Sequence, residues 1–273
     1  MTVGNRTGEN VTVGKPLQGR VAVVTGGGRG IGVGIARALA TDGADIALVS
    51  RTAADLAKVQ AELEALGVRV ASIVADVTDE AQVQRAFSTI DAIFGRVDIL
   101  ANNAGIVRVR AFLSHDLAAW DDTFNGNVRS VFLCSRAAAH LMVRDGRGGR
   151  IMSTGSHYAD EAHEGFAAYC ASKAAVEAVT RNLALELAPH RITVNAVRVG
   201  PVTSTLFSEE RSHQERAAIR AGLAESGHKR GSPPLGGPGH PNDVGAVIAF
   251  LASDAAAWIT GTSIHVDGGI HLR

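Results

Sequence analysis

The sequence predicts one doubly wound α/β domain, a parallel sheet of about seven strands with helices on both faces. Three observations carry that prediction. From Gly19 onward, short apolar runs alternate with longer amphipathic stretches, the pattern of strands joined by crossover helices. The apolar runs are continuous rather than alternating, as strands covered on both faces require. The chain's 273 residues, 46% of them hydrophobic, suffice for one large core, and no linker or repeat divides them.

The elements follow in order. Residues Met1 to Pro16 lack helical or strand periodicity and are expected to form a mobile extension, with the domain running from 17 to 273. Strands are predicted at Arg20 to Val24, Asp45 to Val49, Arg69 to Val74, Asp98 to Ala101, Arg150 to Met152, Arg191 to Val197 and Ser263 to Val266, with a helix from about Ile31 to Thr41. Leu56, Val59, Leu63 and Leu66, and then Val83, Phe87, Ile90 and Phe94, recur at helical spacing and read as core-facing stripes. Thr203 to Pro241 breaks the alternation with a charged, Gly- and Pro-rich excursion. Its length suits a lid over a site, with Leu206, Phe207, Ile219 and Leu223 as the apolar side; a solvated face with no part in binding is the alternative.

Composition narrows the class of partner. Lys and Arg total 27 and Asp and Glu total 27, a balance that disfavours a nucleic-acid or polybasic membrane surface and leaves a small molecule. Cys134 and Cys170 form no Cys-x-x-Cys spacing, so neither a disulfide framework nor a zinc site is expected, and both read as packed thiols. No apolar run is long enough to cross a bilayer, and the N-terminus lacks the basic start and apolar core of a secretory signal. A cytoplasmic protein is expected.

Chemistry enters with Tyr169-Cys170-Ala171-Ser172-Lys173. A Tyr and a Lys four residues apart on a helix share a face, and a nearby ammonium favours the phenolate, which makes such a Tyr a candidate general acid or base. Upstream, the strand ending in Ile151-Met152-Ser153-Thr154-Gly155 leads to the hydroxyl of Ser156. Near the N-terminus, Thr25-Gly26-Gly27-Gly28-Arg29-Gly30-Ile31-Gly32 joins a strand to a helix, an arrangement that offers backbone N–H groups to a pyrophosphate.

The glycines are spaced three and then one residue apart, unlike G-x-G-x-x-G. With Asp76-Val77, Asn102-Asn103-Ala104-Gly105, Ser156, Tyr169 to Lys173 and the final run from Phe250 to Gly269, that spacing resembles the short-chain dehydrogenase/reductase family over Gly19 to the C-terminus. The resemblance implies a Rossmann-like sheet and several site roles. Gly26, Gly30 and Gly32 would approach the pyrophosphate, Asp76 and Val77 would flank the adenine, and Asn103, Ala104 and Gly105 would line the ribose. Tyr169 would exchange a proton with the substrate oxygen, Ser156 would hydrogen-bond that oxygen, and Lys173 would lower the Tyr pKa and hold the nicotinamide ribose. Asn127 would hold a relay water; Asn125 is its rival, and helix capping or a buried backbone bond is the alternative for either Asn. After the sixth strand the chain reads Val199-Gly200-Pro201-Val202-Thr203-Ser204, with the proline displaced from the family's position; Gly200 and Val202 still match, and Ser204 supplies a hydroxyl.

Ser50-Arg51 ends the second strand. An Arg cannot accept from a ribose hydroxyl but pairs well with a 2′-phosphate, and Arg29 adds charge nearby, so NADP(H) is expected over NAD(H). An Arg51 that merely faced solvent is the alternative. His157 and Tyr158 follow Ser156 and are expected to face the substrate; a pocket wall is the expected role of His157, with a solvent-facing residue or a second catalytic acid as the alternatives. The resemblance further implies a homotetramer, packed through small residues near Val128 to Val143 and Ala167 to Leu187. The reading is therefore a carbonyl/secondary-alcohol oxidoreductase. Its rivals are an NAD-linked alcohol or sugar dehydrogenase and a dinucleotide-binding regulator without turnover.

Overall fold

The computed structural model describes residues 14–203, 217, 220–222, 224 and 231–273, together with the backbone of 2–4 and 10–12. Seven parallel strands form the sheet: β3 (Val21–Thr25), β4 (Asp45–Ser50), β5 (Val70–Val74), β6 (Ile99–Asn102), β7 (Gly149–Thr154), β8 (Ile192–Val199) and β9 (Ser263–Val266). Their order is β5-β4-β3-β6-β7-β8-β9, so the chain winds outward from β3, returns, and winds out the other way. The reversal lies between β3 and β6, where a doubly wound sheet opens a crevice at its carboxyl edge. Each predicted strand is present, with ends shifted by at most two residues.

One pairing was not predicted. β1 (Thr2–Gly4) and β2 (Asn10–Thr12) form a two-stranded antiparallel ladder within the segment expected to lack regular structure.

Continuous apolar strands bury both faces. Val21 and Val23 of β3 point into one core layer with Val83, Phe87 and Ile90, whereas Ala22 and Val24 point into the other with Ile35, Leu39 and Leu251. Helices α1 (Ile31–Thr41), α2 (Ala53–Glu64) and, late in the chain, α7 (Pro241–Ala252) cover the second layer. Helices α3 (Glu80–Phe94), α5 (Ser130–Asp145) and α6 (Ala167–Leu187) cover the first, and the short α4 (Leu117–Phe124) leads into α5. Both predicted stripes reach the core except at Leu66, which lies beyond the end of α2 and is exposed.

Local chemistry sets the helix ends. The Asp79 carboxylate accepts from the Gln82 N–H at 3.0 Å to start α3, and Gly95 stops it at φ 74°. Pro241 opens α7, where His240 Nδ1 accepts from the Asn242 N–H and Asp243 accepts from the His240 N–H. Between α4 and α5 the coil widens to a π-turn, Asn125–Arg129, with the Ser130 N–H reaching back to the Asn125 carbonyl. Arg198 of β8 grips the buried Glu177 of α6 through bonds of 2.6 and 2.7 Å, which pins the long helix to the sheet.

Candidate active site

The carboxyl ends of β3 through β8 open into one cavity of about 810 Å³. At one end the turn after β3 passes through positive φ at Gly26 (64°) and Gly30 (57°), and α1 then starts without a side-chain cap. A Cβ on Gly32 would run into the Gly26 carbonyl, so only glycine lets the first turn of α1 fold back on this loop. The neighbouring strand braces it: the Asn103 Nδ2 donates to the carbonyls of Thr25 and Gly26 at 3.1 and 3.3 Å, and the Thr25 Oγ1 accepts from the N–H groups of Asn103 and Ala104. The result is a glycine-rich cradle beside a helix N-terminus without a side-chain cap, an arrangement that can seat a phosphate.

Two cations stand at this end. Arg29 lies 3.3 Å from Asp55, and Arg51, with 68% of its side chain exposed, lies 3.9 Å from Asp76. The other Asp76 oxygen accepts from the Thr78 N–H and hydroxyl. The residues thus fit a dinucleotide, with the cradle for its pyrophosphate and two carboxylate-paired guanidinium groups beyond it.

At the other end, Ser156 follows β7, and its Oγ accepts from the Tyr158 N–H at 3.2 Å. Tyr169 and Lys173 project from one face of α6 into the same cavity, with the Lys173 Nζ 5.7 Å from the centre of the Tyr169 ring. The Lys173 ammonium donates to the Thr154 carbonyl at 2.7 Å, and its burial pulls its pKa down to about 8. It remains mostly protonated at neutral pH. Tyr158 stands edge-on to Tyr169 with ring centres 6.2 Å apart, and Phe166 closes the wall behind both.

The cavity wall holds Gly26, Arg29, Gly30, Ile31, Ser50 and Arg51 on the cradle side, then Asp76, Val77, Asn103, Ala104 and Gly105. Ser156, Tyr169, Lys173 and Gly200 complete the set. Gly32 lies behind the loop. Val202 is buried in the core and bridges Gly239, outside the wall. Ser204 falls outside the described residues, as do Leu206, Phe207, Ile219 and Leu223 of the proposed lid.

Asn127, 1% exposed, spends its side chain internally. Its Oδ1 accepts from the Ile106 N–H at 2.7 Å, while Nδ2 donates to the Ile106 carbonyl and to the Ser172 Oγ. Ser172 in turn donates to the Tyr169 carbonyl at 2.7 Å, so Asn127 is tied to the helix turn that carries the tyrosine. Asn125, the rival, reaches the wall itself. Cys134 is buried and its thiol pKa is pushed up to about 12; Cys170 packs beside Phe166 and burial raises its pKa too.

Sequence reasoning missed Thr25, Ser172, Glu161 and His163. A hydroxyl closing a strand before glycines, and a serine three residues beyond the tyrosine, were the available signals for the first two.

The comparisons agree with this geometry. A protein-family model described as enoyl-(acyl carrier protein) reductase matches residues 26–271. The 3-oxoacyl-(acyl-carrier-protein) reductase FabG of Escherichia coli is 37% identical over 256 residues, 94% of this chain and 99% of that protein. Among solved structures, a short-chain dehydrogenase from Burkholderia cenocepacia in complex with NADP is 39% identical, with a TM-score of 0.81 over 93% of this chain and 98% of that one. A short-chain dehydrogenase from Mycobacterium paratuberculosis bound to NAD is 28% identical, with a TM-score of 0.87 over 94% of this chain and all of that one.

Proposed function

The chain belongs to the short-chain dehydrogenase/reductase family, and from that premise we propose that it interconverts a carbonyl and a secondary alcohol with NADP(H). The observation that carries the proposal is the convergence of Ser156, Tyr169 and Lys173 on the cavity that also holds the glycine cradle. Bound there, a nicotinamide dinucleotide supplies or takes up the hydride.

The chain's own residues handle orientation and one proton. Ser156 Oγ donates a hydrogen bond to the substrate oxygen and steadies the charge that develops on it. Tyr169 Oη gives its proton to that oxygen in reduction and takes one in oxidation. Lys173, buried and cationic, stabilises the tyrosinate left behind and holds the nicotinamide ribose. Asn127 supports a water relay through its main chain, since its side-chain donors are committed to Ile106 and Ser172.

Arg29 and Arg51 favour NADP(H). A charge-assisted bond to a 2′-phosphate is worth about 1.5–3 kcal/mol, so Arg51→Asp should weaken NADPH binding by roughly 10- to 100-fold and narrow the gap to NADH. Fluorescence titration of both cofactors reads this directly; equal affinities in the natural protein would refute the preference.

The decisive test is Tyr169→Phe assayed on a carbonyl panel. The phenyl ring keeps the packing against Tyr158 and Phe166, so NADPH binding and Tm should stay close to those of the unaltered protein. Reductive kcat should fall by roughly 10²- to 10⁴-fold. Retention of most of the rate would end this mechanism, whereas cofactor binding with no turnover of any carbonyl by the natural protein would favour the regulator reading.

The Thr203 to Pro241 excursion acts in this reading as the substrate lid. Supporting it, Gly231 of this stretch lines the cavity. No helix among the described residues is long and apolar enough to cross a membrane, and a cytoplasmic homotetramer completes the proposal.

A further inference from the structure

Beyond Ser156 the wall of the cavity holds a second group of ligating atoms. His157 Nδ1 lies 3.2 Å from Glu161 Oε2, and His163 Nε2 lies 2.9 Å from the same oxygen. All three ligand atoms fall within 4.8 Å of one another, and all three residues line the cavity. We propose that His157, Glu161 and His163 form a binding site for a divalent transition metal, with Zn²⁺ as the ion it takes.

The spacing supports this. Ligand bonds of ~2.0–2.1 Å place neighbouring donor atoms ~2.9–3.4 Å apart in octahedral or tetrahedral geometry, which brackets both separations to Glu161. Two imidazoles and one carboxylate form a nitrogen–oxygen set that Zn²⁺ accepts, with further positions left for water or substrate. The other carboxylate oxygen, Glu161 Oε1, is buried without a hydrogen-bond partner, so the group retains acceptor capacity that the two histidines do not use.

The ligands are held in place. Tyr158 stacks on His163 at 3.6 Å and meets His157 edge-on at 4.4 Å, which fixes both rings. Because His157 follows Ser156 directly, the ion would adjoin the proposed carbonyl site.

A second trio, His265, Asp267 and His271, is a poorer candidate. Arg198 Nη1 lies 3.3 Å from His265 Nε2, the two rings stack at 3.8 Å, and the second Asp267 oxygen already accepts from the Gly269 N–H. A guanidinium beside the site opposes a cation. The cysteine spacings that argued against zinc in the sequence say nothing about a His-x-x-x-Glu-x-His arrangement on a loop.

The test is titration of the full-length, untagged protein with Zn²⁺ by calorimetry, with proton release measured in parallel. One ion per chain is expected, with affinity reduced at least ~10-fold in His163→Ala and in Glu161→Gln and retained in His271→Ala. Circular dichroism checks that the variants fold. X-ray absorption on the Zn²⁺-loaded natural protein, which needs no variant, should report two imidazoles in the first shell. Absence of stoichiometric binding, binding lost in His271→Ala but kept in His163→Ala, or a shell without two imidazoles would each overturn the site.

Discussion

Lys173 shows how a single residue couples burial to chemistry. Its pKa falls from 10.5 to about 8 because the ammonium has left water, with the Thr154 carbonyl as a close acceptor. Below pH 8 the charge persists; as pH rises through about 8 the folded protein loses it while an unfolded chain would still be protonated. Two consequences follow from that sign. The unfolded state binds more protons between about pH 8 and 10.5, so this group makes stability rise with pH across that window. Activity moves the other way: kcat/KM for NADPH, which reports groups of the free enzyme, should fall on its alkaline side with an apparent pKa near 8. Lys173→Arg, cationic throughout, should lose that limb at a lower absolute rate. A pH–rate profile for both proteins checks this, and an alkaline limb that persisted unchanged in the Arg variant would assign it to another group. The pairing of Tyr169 and Lys173 was readable because both lie on one helix face. The commitments of Asn127 were not, since Ile106 and Ser172 are 21 and 45 residues away and meet it only through the packing of the π-turn against α6.

At the scale of elements, the cavity depends on how α1 is held. α1 packs against α7 backbone to backbone: a Cβ on Gly245 would collide with the Gly34 carbonyl, and one on Gly34 would collide with Pro241. Two helices brought this close cannot separate by the width of a methyl group without shifting the glycine cradle at the start of α1. Gly245→Ala should therefore cost about 1–3 kcal/mol through overpacking and lower the Tm by several degrees. It should also weaken NADPH binding, although Gly245 does not line the cavity. Thermal melts and cofactor titrations on the same variant measure both, and a loss of stability with unchanged affinity would show that the cradle is held independently of α7. Strand positions were legible because burial on both faces demands unbroken apolar runs. The close α1–α7 contact was not, because glycines 34 and 245 carry no periodic signal and sit 211 residues apart.

For the whole molecule, the question is what covers the outer side of the helical layer. α5 and α6 pack on the same face of the sheet, yet their outward sides expose Phe132, Val143 and Leu185; beyond α7, Trp258 is fully exposed. Exposed large apolar side chains on helices that otherwise carry small residues favour close helix-to-helix contact with another copy. Arg136 lies over the Phe132 ring at 5.3 Å, a cation–π contact on this outward side. The small residues of these helices were readable in the sequence, whereas the exposure of Leu185 required the packed fold, since apolar type alone does not say which side of a helix faces the sheet. Light scattering should give a mass near four times the chain's 28.3 kDa. Leu185→Glu places a charge where a subunit contact would desolvate it, so it should lower the mass to that of a dimer or monomer while the circular dichroism spectrum stays that of the folded chain. A natural protein that ran as a monomer at high concentration would remove the tetramer, and it would leave Trp258 and Leu185 as surface features that α5 and α6 do not explain.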